Sequence, residues 1–322
     1  MFRLSQLARH FSRPLPNYLH TSAATAAIRS SQIMTSSTID ERNSRMIHTA
    51  ACLIIGDEVL GGKMYDSFPW RLPLSDEDTT ANTTSQTNSA FMAKFCFGLG
   101  MTLKRIEVIA DDESEIIEAV RRMSNNYDFV VTSGGIGPTH DDITYQSIAT
   151  AFSLPLILHP TVLSKMKKLS KPHPSQVDFS WDVDSPARRA KYRMIELPTD
   201  TSIPDSKQVL FPCDDLWVPV ACVNGNVHIL PGVPRLFERL LEGMRPFLLP
   251  RLQDPEKGMK RILISTPMVE SEVAGYLTEL AGRGGGDQEF LESLVEEVVK
   301  NVKGKRIESE GEDDEDAPVS SQ

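Results

Sequence analysis

The sequence SGGIGPTHDDIT, residues 133–144, separates two segments of different periodicity. Residues 127–132 read YDFVVT, an apolar and β-branched run that predicts a buried parallel strand. In residues 143–152 the apolar positions recur at roughly helical spacing, which predicts a helix. A strand, a glycine-rich turn and a helix in this order indicate the α/β class.

The glycine-rich turn is suited to binding an anion. Gly134, Gly135 and Gly137 permit positive φ angles and let a ligand approach the main chain, where consecutive N–H groups can face it. The dipole of the following helix adds favourable potential at the same point. The hydroxyls of Ser133 and Thr139 are candidates for hydrogen bonds to a phosphate or a ring edge, although such residues also serve in plain turns. The pattern is neither the dinucleotide motif nor a P-loop.

Acidic residues lie in this turn and after two other predicted strands. Asp141 and Asp142 belong to the turn, and Asp57 and Asp111 each follow an apolar run. Ligands of open α/β sheets bind at the carboxyl ends of the strands, so Asp57, Asp111 and Asp142 are expected to converge. Converging carboxylates repel one another unless a cation neutralises them, and Mg²⁺ prefers oxygen ligands. Asp142 or Asp111 is then a candidate general base. The alternative is a tight structural turn in which Asp141 only caps the helix.

Strand and helix patterns alternate along most of the chain. This alternation predicts a three-layer αβα fold with a mostly parallel sheet. A smaller α+β unit is predicted at residues 258–300, where an apolar run precedes a helical pattern. The predicted strands of the main sheet are residues 48–55, 105–109, 127–132 and 226–230.

Five motifs resemble the molybdopterin-binding-like domain of molybdenum-cofactor biosynthesis proteins. The form is similar to that in the N-terminal domain of eukaryotic FAD synthases and in competence-damage-inducible proteins. The resemblance covers residues 47–250, with the motifs in the expected order. They are IIGDEVLGGK (54–63), TNS (87–89), VIADD (108–112), GGIGPTHDDIT (134–144) and ILPGVP (229–234).

The resemblance implies a metal-dependent hydrolase that cleaves the pyrophosphate of a dinucleotide. FAD, giving FMN and AMP, is the first expected substrate, and an ADP-ribose-like nucleotide is the alternative. The metal would be Mg²⁺, with Mn²⁺ and Co²⁺ as alternatives, and Asp142, then Asp111, then Asp57 are the residues expected to act with it. Asn88 is a candidate to order the loop or to contact the ligand. Arg188 and Lys191 are candidates to meet phosphate through charge-assisted bonds, and the alternative for them is a solvated basic face of a helix. Family members often associate, which makes a homo-oligomer the default.

Two departures from the family pattern keep other functions open. Residues 64–86 form an insertion beside the expected pocket, and Gln86 stands where an Asp usually precedes Thr-Asn. These departures motivate a non-catalytic nucleotide-binding or scaffold protein as one alternative. The other alternative is an adenylyl transferase acting on molybdopterin.

Charge is unevenly distributed over the 322 residues. The net charge is −10, of which residues 1–39 contribute +4 and residues 308–316 contribute −7. The acidic remainder argues against a nucleic-acid-binding face, and no apolar run approaches the length of a membrane span. Residues 1–39 are rich in Arg, Ser and Thr and lack acids, which is typical of a mitochondrial transit peptide.

The ends of the chain and its cysteines carry three further expectations. A later start at Met34 or Met46 would give a cytosolic form. Residues 303–322 are predicted to be a disordered acidic tail. The four cysteines form no C-x-x-C pair, which favours reduced and mostly buried thiols.

Overall fold

The computed structural model describes residues 41–60, 88–170, 179–253, 262–281 and 288–307. The predicted transit peptide at 1–39, the whole of the 64–86 insertion and most of the 303–322 tail lie outside these ranges, so those predictions stay untested. Residues 303–307 are described and correct the predicted tail, because Lys305–Ile307 form a strand that pairs with Leu263–Ser265.

The centre of the protein is a six-stranded sheet with the strand order β2-β1-β3-β8-β7-β6. The first four of these strands run parallel, and β7 and β6 are antiparallel to their neighbours. The sheet is therefore mostly parallel, as predicted. Its strands are β1 (Thr49–Ile55), β2 (Thr102–Ile109), β3 (Phe129–Ser133), β6 (Val209–Leu210), β7 (Val220–Val223) and β8 (Val227–Leu230).

Helices cover the sheet in two groups. Helix α2 packs against α7, where the Phe91 and Phe237 rings meet edge to face with centroids 6.5 Å apart, and helix α3 packs against α4. Every residue of β3 is buried, so both faces of the sheet are covered and the three-layer prediction is confirmed. The helices up to this point are α1 (Asp57–Leu60), α2 (Asn88–Gly98), α3 (Glu113–Asn126), α4 (Thr144–Phe152), α5 (Pro160–Leu169), α6 (Pro186–Arg193), α7 (Pro234–Gly243) and α8 (Arg245–Leu248).

Two small units complete the described structure. The less regular middle region contains an antiparallel pair, β4 (Leu156–Leu158) and β5 (Glu196–Pro198), which packs against α4. After the main sheet come β9 (Leu263–Ser265), α9 (Glu270–Ala281), α10 (Gln288–Asn301) and β10 (Lys305–Ile307), in which β10 pairs antiparallel with β9. This is the predicted α+β unit, extended by one strand.

The cysteines and the lengths of the helices agree with an ordinary α/β interior. All four cysteines are free thiols, and Cys52, Cys96 and Cys222 are buried while Cys213 is partly exposed. Within the described ranges, no helix has the length and apolar character needed to cross a bilayer.

Candidate functional site

The glycine turn is held against the carboxyl edge of the sheet. Gly134 has a φ of +112°, and a Cβ there would collide with the carbonyl oxygen of Ile55 at the end of β1. Its N–H donates to Leu230 O at 3.2 Å, which continues the ladder with β8. Only glycine fits this close approach of two strand ends, and the approach brings the turn beside the residues that follow β1.

The turn uses two of its expected anion-binding amides for its own structure. Besides Gly134 N–H, the Thr144 N–H donates to Gly135 O at 2.9 Å, and Thr144 Oγ1 donates to Gly134 O at 2.9 Å. Gly135 has a φ of +63° and lies tightly against Thr144. The Gly134 N–H is therefore already paired within the fold, and contact of Gly134 with substrate stays a prediction.

Asp57 and Asp111 form a reciprocal pair at the ends of β1 and β2. The Asp57 N–H donates to Asp111 Oδ2 at 3.0 Å, and the Asp111 N–H donates to Asp57 Oδ1 at 3.3 Å. Each carboxylate keeps one oxygen outside this exchange. The remaining Asp111 Oδ1 faces the glycine turn, since it lies 3.3 Å from where a Cβ of Gly135 would be. Two of the three predicted metal ligands are thus brought together beside the turn.

Partial burial and the neighbouring acids both change the pKa of Asp111. Partial burial is the main cause that raises the pKa of Asp111 above its ordinary value, and the negative charges of Glu58, Asp57 and Asp141 raise it further. The hydrogen bond from Asp57 N–H acts in the opposite direction. A cation placed among these carboxylates would relieve the repulsion.

Asp142 stabilises the turn and does not join the Asp57 and Asp111 pair. Its Oδ2 accepts from Thr139 N–H at 2.9 Å and also from the Thr139 hydroxyl. A Cβ at Gly137 would lie 2.6 Å from the same oxygen, so glycine makes room for this carboxylate. Both Thr139 and Gly137, predicted to bind substrate, therefore contact Asp142 in the structure. Their contact with substrate stays a prediction.

Asp141 does not cap the helix. Helix α4 starts after Ile143, and no side chain accepts a hydrogen bond from its first amides, so the capping alternative is wrong. The Thr139 hydroxyl, whose single proton is shared between the Asp141 and Asp142 carboxylates, is the main cause that lowers the pKa of Asp141, and the charges of His140 and Arg193 lower it further. The His140 side chain is almost fully exposed and lies 3.9 Å from the Asp141 carboxylate.

Asn88 orders the site from the start of α2. It is buried, and its Nδ2 donates to Ser133 Oγ at 2.8 Å and to Gly232 O at 2.8 Å. One amide thus joins the end of β3 to the turn after β8. Its own Oδ1 is buried with no hydrogen-bond partner in the described structure. This is the ordering role that the sequence suggested.

Helix α6 brings a cation to the turn, but not one of the two that were predicted. Arg193 Nη2 donates to Asp142 O at 3.0 Å. Arg188 instead lies 3.6 Å from Asp184 and over the Tyr192 ring. Lys191 lies over the rings of Phe179 and Trp181, and burial lowers its pKa.

The geometry of α6 explains this division. At 3.6 residues per turn, Arg188 and Lys191 share one face of the helix and Arg193 projects from another. The structure therefore gives Arg188 and Lys191 aromatic contacts, and their predicted contact with phosphate stays a prediction. Arg193 was not among the residues predicted from the sequence. Its contact with the turn depends on the packing of segments that are distant in the chain.

The described residues fit a divalent ion only in part. Within the described ranges, no group of three His, Cys, Asp or Glu side chains converges closely enough to hold a metal. Asp57 and Asp111 nevertheless offer two adjacent carboxylates, each with an oxygen left over. Mg²⁺ is commonly held by one or two carboxylates together with waters and substrate phosphates, so this pair fits an ion completed by its substrate. Asp142 as a third ligand stays a prediction.

Comparison with known proteins places this site in a family. Residues 51–253 match the model of the "probable molybdopterin binding domain". The chain is 30% identical over 279 residues to a "Probable FAD synthase" of Caenorhabditis elegans, covering 85% of this chain and 49% of that protein. It is 28% identical over 247 residues to a "CinA-like protein" of Geobacter sulfurreducens, covering 73% of this chain and 49% of that protein.

A solved structure, the protein CinA of Thermoplasma acidophilum, is 28% identical with a TM-score of 0.45, covering 63% of this chain and 98% of that one. The chain spans about half the length of these FAD synthase and CinA-like relatives. The family model alone covers most of the chain, including the glycine turn and both members of the aspartate pair. The chain therefore belongs to the probable molybdopterin binding domain family.

Proposed function

We propose that this protein hydrolyses the pyrophosphate of a dinucleotide with the help of a divalent metal, and that FAD is cleaved to FMN and AMP. The choice of FAD is supported by the relatives named as FAD synthases, since they point to flavin metabolism. Because the chain spans only part of those relatives, the synthase reaction of the whole protein is not carried over.

The observation that carries the proposal is the Asp57 and Asp111 pair beside the glycine turn. Two carboxylates share a partly buried edge, and the pKa of Asp111 is raised mainly by burial. A site that accumulates negative charge would repel a pyrophosphate unless a cation came with it. A divalent ion bound there would neutralise this charge and lower the pKa of a water molecule.

Residues of the chain would accept the proton and orient the phosphates. In the proposed reaction a water oxygen attacks one phosphorus, and the bond from that phosphorus to the bridging oxygen breaks. The bridging oxygen leaves on the other phosphate, and Asp111 accepts the proton of the water. Asn88 holds the Ser133 hydroxyl in place, and this hydroxyl would help to orient the phosphates. Backbone amides of the turn that make no hydrogen bond within it would do the same.

The test is hydrolysis of FAD by the full chain. Purified protein is incubated with FAD and Mg²⁺, Mn²⁺ or Co²⁺, and FMN and AMP are separated by chromatography. We expect equal amounts of both products, only with metal, and a loss of at least about 100-fold in Asp111→Asn and Asp57→Asn. Asp215→Asn is the matched control, because Asp215 is an exposed acid paired with Arg239. Equal rates in Asp111→Asn and in the control would refute the proposal.

The absence of a three-ligand cluster in the described residues favours one alternative, binding without turnover. In that case FAD would bind and its binding would weaken in Asp111→Asn, but no FMN would appear with any of the metals. The family description motivates the other alternative, adenylyl transfer to molybdopterin, for which ATP would be consumed only when molybdopterin is present. The same preparation distinguishes the three outcomes.

A further inference from the structure

A cavity lies away from the glycine turn, toward the amino ends of the parallel strands. It has a volume of about 330 Å³. Its wall includes Cys222 of β7, which pairs with His228 of β8. Met244, Phe247 and Leu248 supply an apolar side, and Asn43 and Arg251 supply polar groups. Neither member of the Asp57 and Asp111 pair lines it.

The side chain of Asn43, in the wall of this cavity, has a hydrogen-bond donor without an acceptor. The thiol of Cys222 donates to Asn43 Oδ1 at 3.9 Å. Burial raises the pKa of this thiol to about 12, so the sulfur carries its proton at neutral pH and acts as the donor. The carbonyl end of the amide is thereby fixed toward the sulfur. The other end, Nδ2, is buried and has no hydrogen-bond partner in the described structure. A buried donor without an acceptor is costly, which indicates a missing partner.

Arg251 places a positive charge beside the same cavity. Its Nε donates to Arg45 O at 3.0 Å and its Nη2 donates to Arg42 O at 2.8 Å. These carbonyls orient the guanidinium but do not neutralise it. Among the described residues, no carboxylate lies within ion-pair distance of Arg251, and partial burial is the main cause that lowers its pKa. The charge of Asp128 acts on Arg251 only from beyond ion-pair distance, so this partly buried cation favours an anionic ligand.

We propose that this cavity binds a small organic carboxylate with an apolar body. One carboxylate oxygen would accept from the Arg251 guanidinium, and the other from Asn43 Nδ2 once the Asn43 side chain moves to expose it, while the apolar body would contact Met244, Phe247 and Leu248. The mostly aliphatic and aromatic side of the cavity distinguishes this ligand from inorganic phosphate or a free nucleotide phosphate. The volume is at the lower end of the range for ligand pockets, which fits a short-chain acid.

The proposal is independent of the proposed hydrolysis, because the two sites share no residue. Binding of hexanoate to the full chain is measured by ligand-observed NMR, with 1-hexanol as the uncharged control and inorganic phosphate as the charged control. We expect hexanoate to bind at least about fivefold more tightly than either control, because each lacks one half of the recognition. Retention of binding in Asp111→Asn would show that the site is separate from the aspartate pair.

Variants locate the binding in the cavity. Asn43→Leu removes the donor at similar volume and is expected to weaken hexanoate binding by at least about fivefold. Phe247→Ala is expected to weaken it as well. Leu249→Ala is the matched control, since Leu249 and Phe247 are similarly exposed but only Phe247 lines the cavity. Equal binding of hexanol and hexanoate, competition by phosphate alone, absence of binding, or unchanged binding in Asn43→Leu would each overturn the proposal.

Discussion

Replacement of Gly135 by alanine tests whether the turn is built as the structure shows. Gly135 has a φ of +63°, and a Cβ there would collide with Thr144 Oγ1 and lie 3.3 Å from Asp111 Oδ1. The left-handed conformation costs an alanine about 1–2 kcal/mol. Moving the Thr144 hydroxyl away leaves the buried Gly134 carbonyl without its hydrogen bond, which costs about 1–3 kcal/mol more. Less the smaller entropy of the unfolded chain, the free energy of unfolding should fall by about 2–4 kcal/mol.

Guanidinium unfolding followed by circular dichroism measures this loss. The matched control is Gly98→Ala, because Gly98 lies in α2 and a Cβ there meets nothing within 4 Å. The control should be stabilised by about 0.5–1 kcal/mol. Thr144→Ala already lacks the hydroxyl, so adding Gly135→Ala to it should cost only the conformational part, about 1–2 kcal/mol. If Gly135→Ala is as stable as the natural protein, or costs the same with and without Thr144, the described packing of the turn is wrong.

Three further predictions concern charge and reactivity. The folded state raises the pKa of Asp111, so ionisation of this carboxyl destabilises the fold above that pKa. The penalty fades as the pH falls toward the pKa that Asp111 has in the unfolded chain. Asp111→Asn should therefore be more stable than the natural protein at pH 7 and no more stable at pH 3, as measured by chemical unfolding. Arg193→Met should slow FAD hydrolysis by at least about tenfold because the turn loses the contact at Asp142 O, whereas Arg193→Lys should retain part of the rate and Arg189→Met should leave it unchanged. In the native protein a thiol reagent should modify Cys213 alone, and Cys213→Ser should abolish the reaction; rapid modification of a second thiol would contradict the burial of the other three.

The sheet and the position of the site were predictable because local patterns decide them. The apolar runs of β1 and β3 have no alternation, which indicated strands covered on both faces, and both are almost entirely buried. The sequence places Asp112 three residues before Glu115, a spacing typical of a helix start, and the Asp112 carboxylate accepts from Glu115 N–H at 3.0 Å as the N-cap of α3. The carboxyl ends of parallel strands share one edge, so Asp57 and Asp111 had to lie near each other.

The partners of individual groups were not predictable, since they depend on segments far apart in the chain. Thr144 was placed in a helix, but its hydroxyl pairs with the carbonyl of Gly134 only because the turn folds back on the helix start. The contact of Arg193 with Asp142 O likewise joins positions 51 residues apart. Arg188 and Lys191 were candidates for phosphate contact, although Tyr192, four residues after Arg188 on the same helix, was a local sign that an aromatic ring lies next to Arg188.

The distribution of charge connects the two proposed sites. Asp57, Asp111 and Asp141 gather where the parallel strands end, whereas Arg45 and Arg251 lie near their beginnings, with Asp128 3.6 Å from Arg45. Each edge also holds one group of the opposite sign, Arg193 at the first and Asp128 at the second, so the separation of charge is incomplete. Each edge is less repulsive once it binds an ion of opposite sign: a cation with its pyrophosphate at one, and an organic anion at the other. Added Mg²⁺ should therefore stabilise the natural protein but not Asp57→Asn, and hexanoate should stabilise both; the reverse pattern would separate the charges from the sites assigned to them.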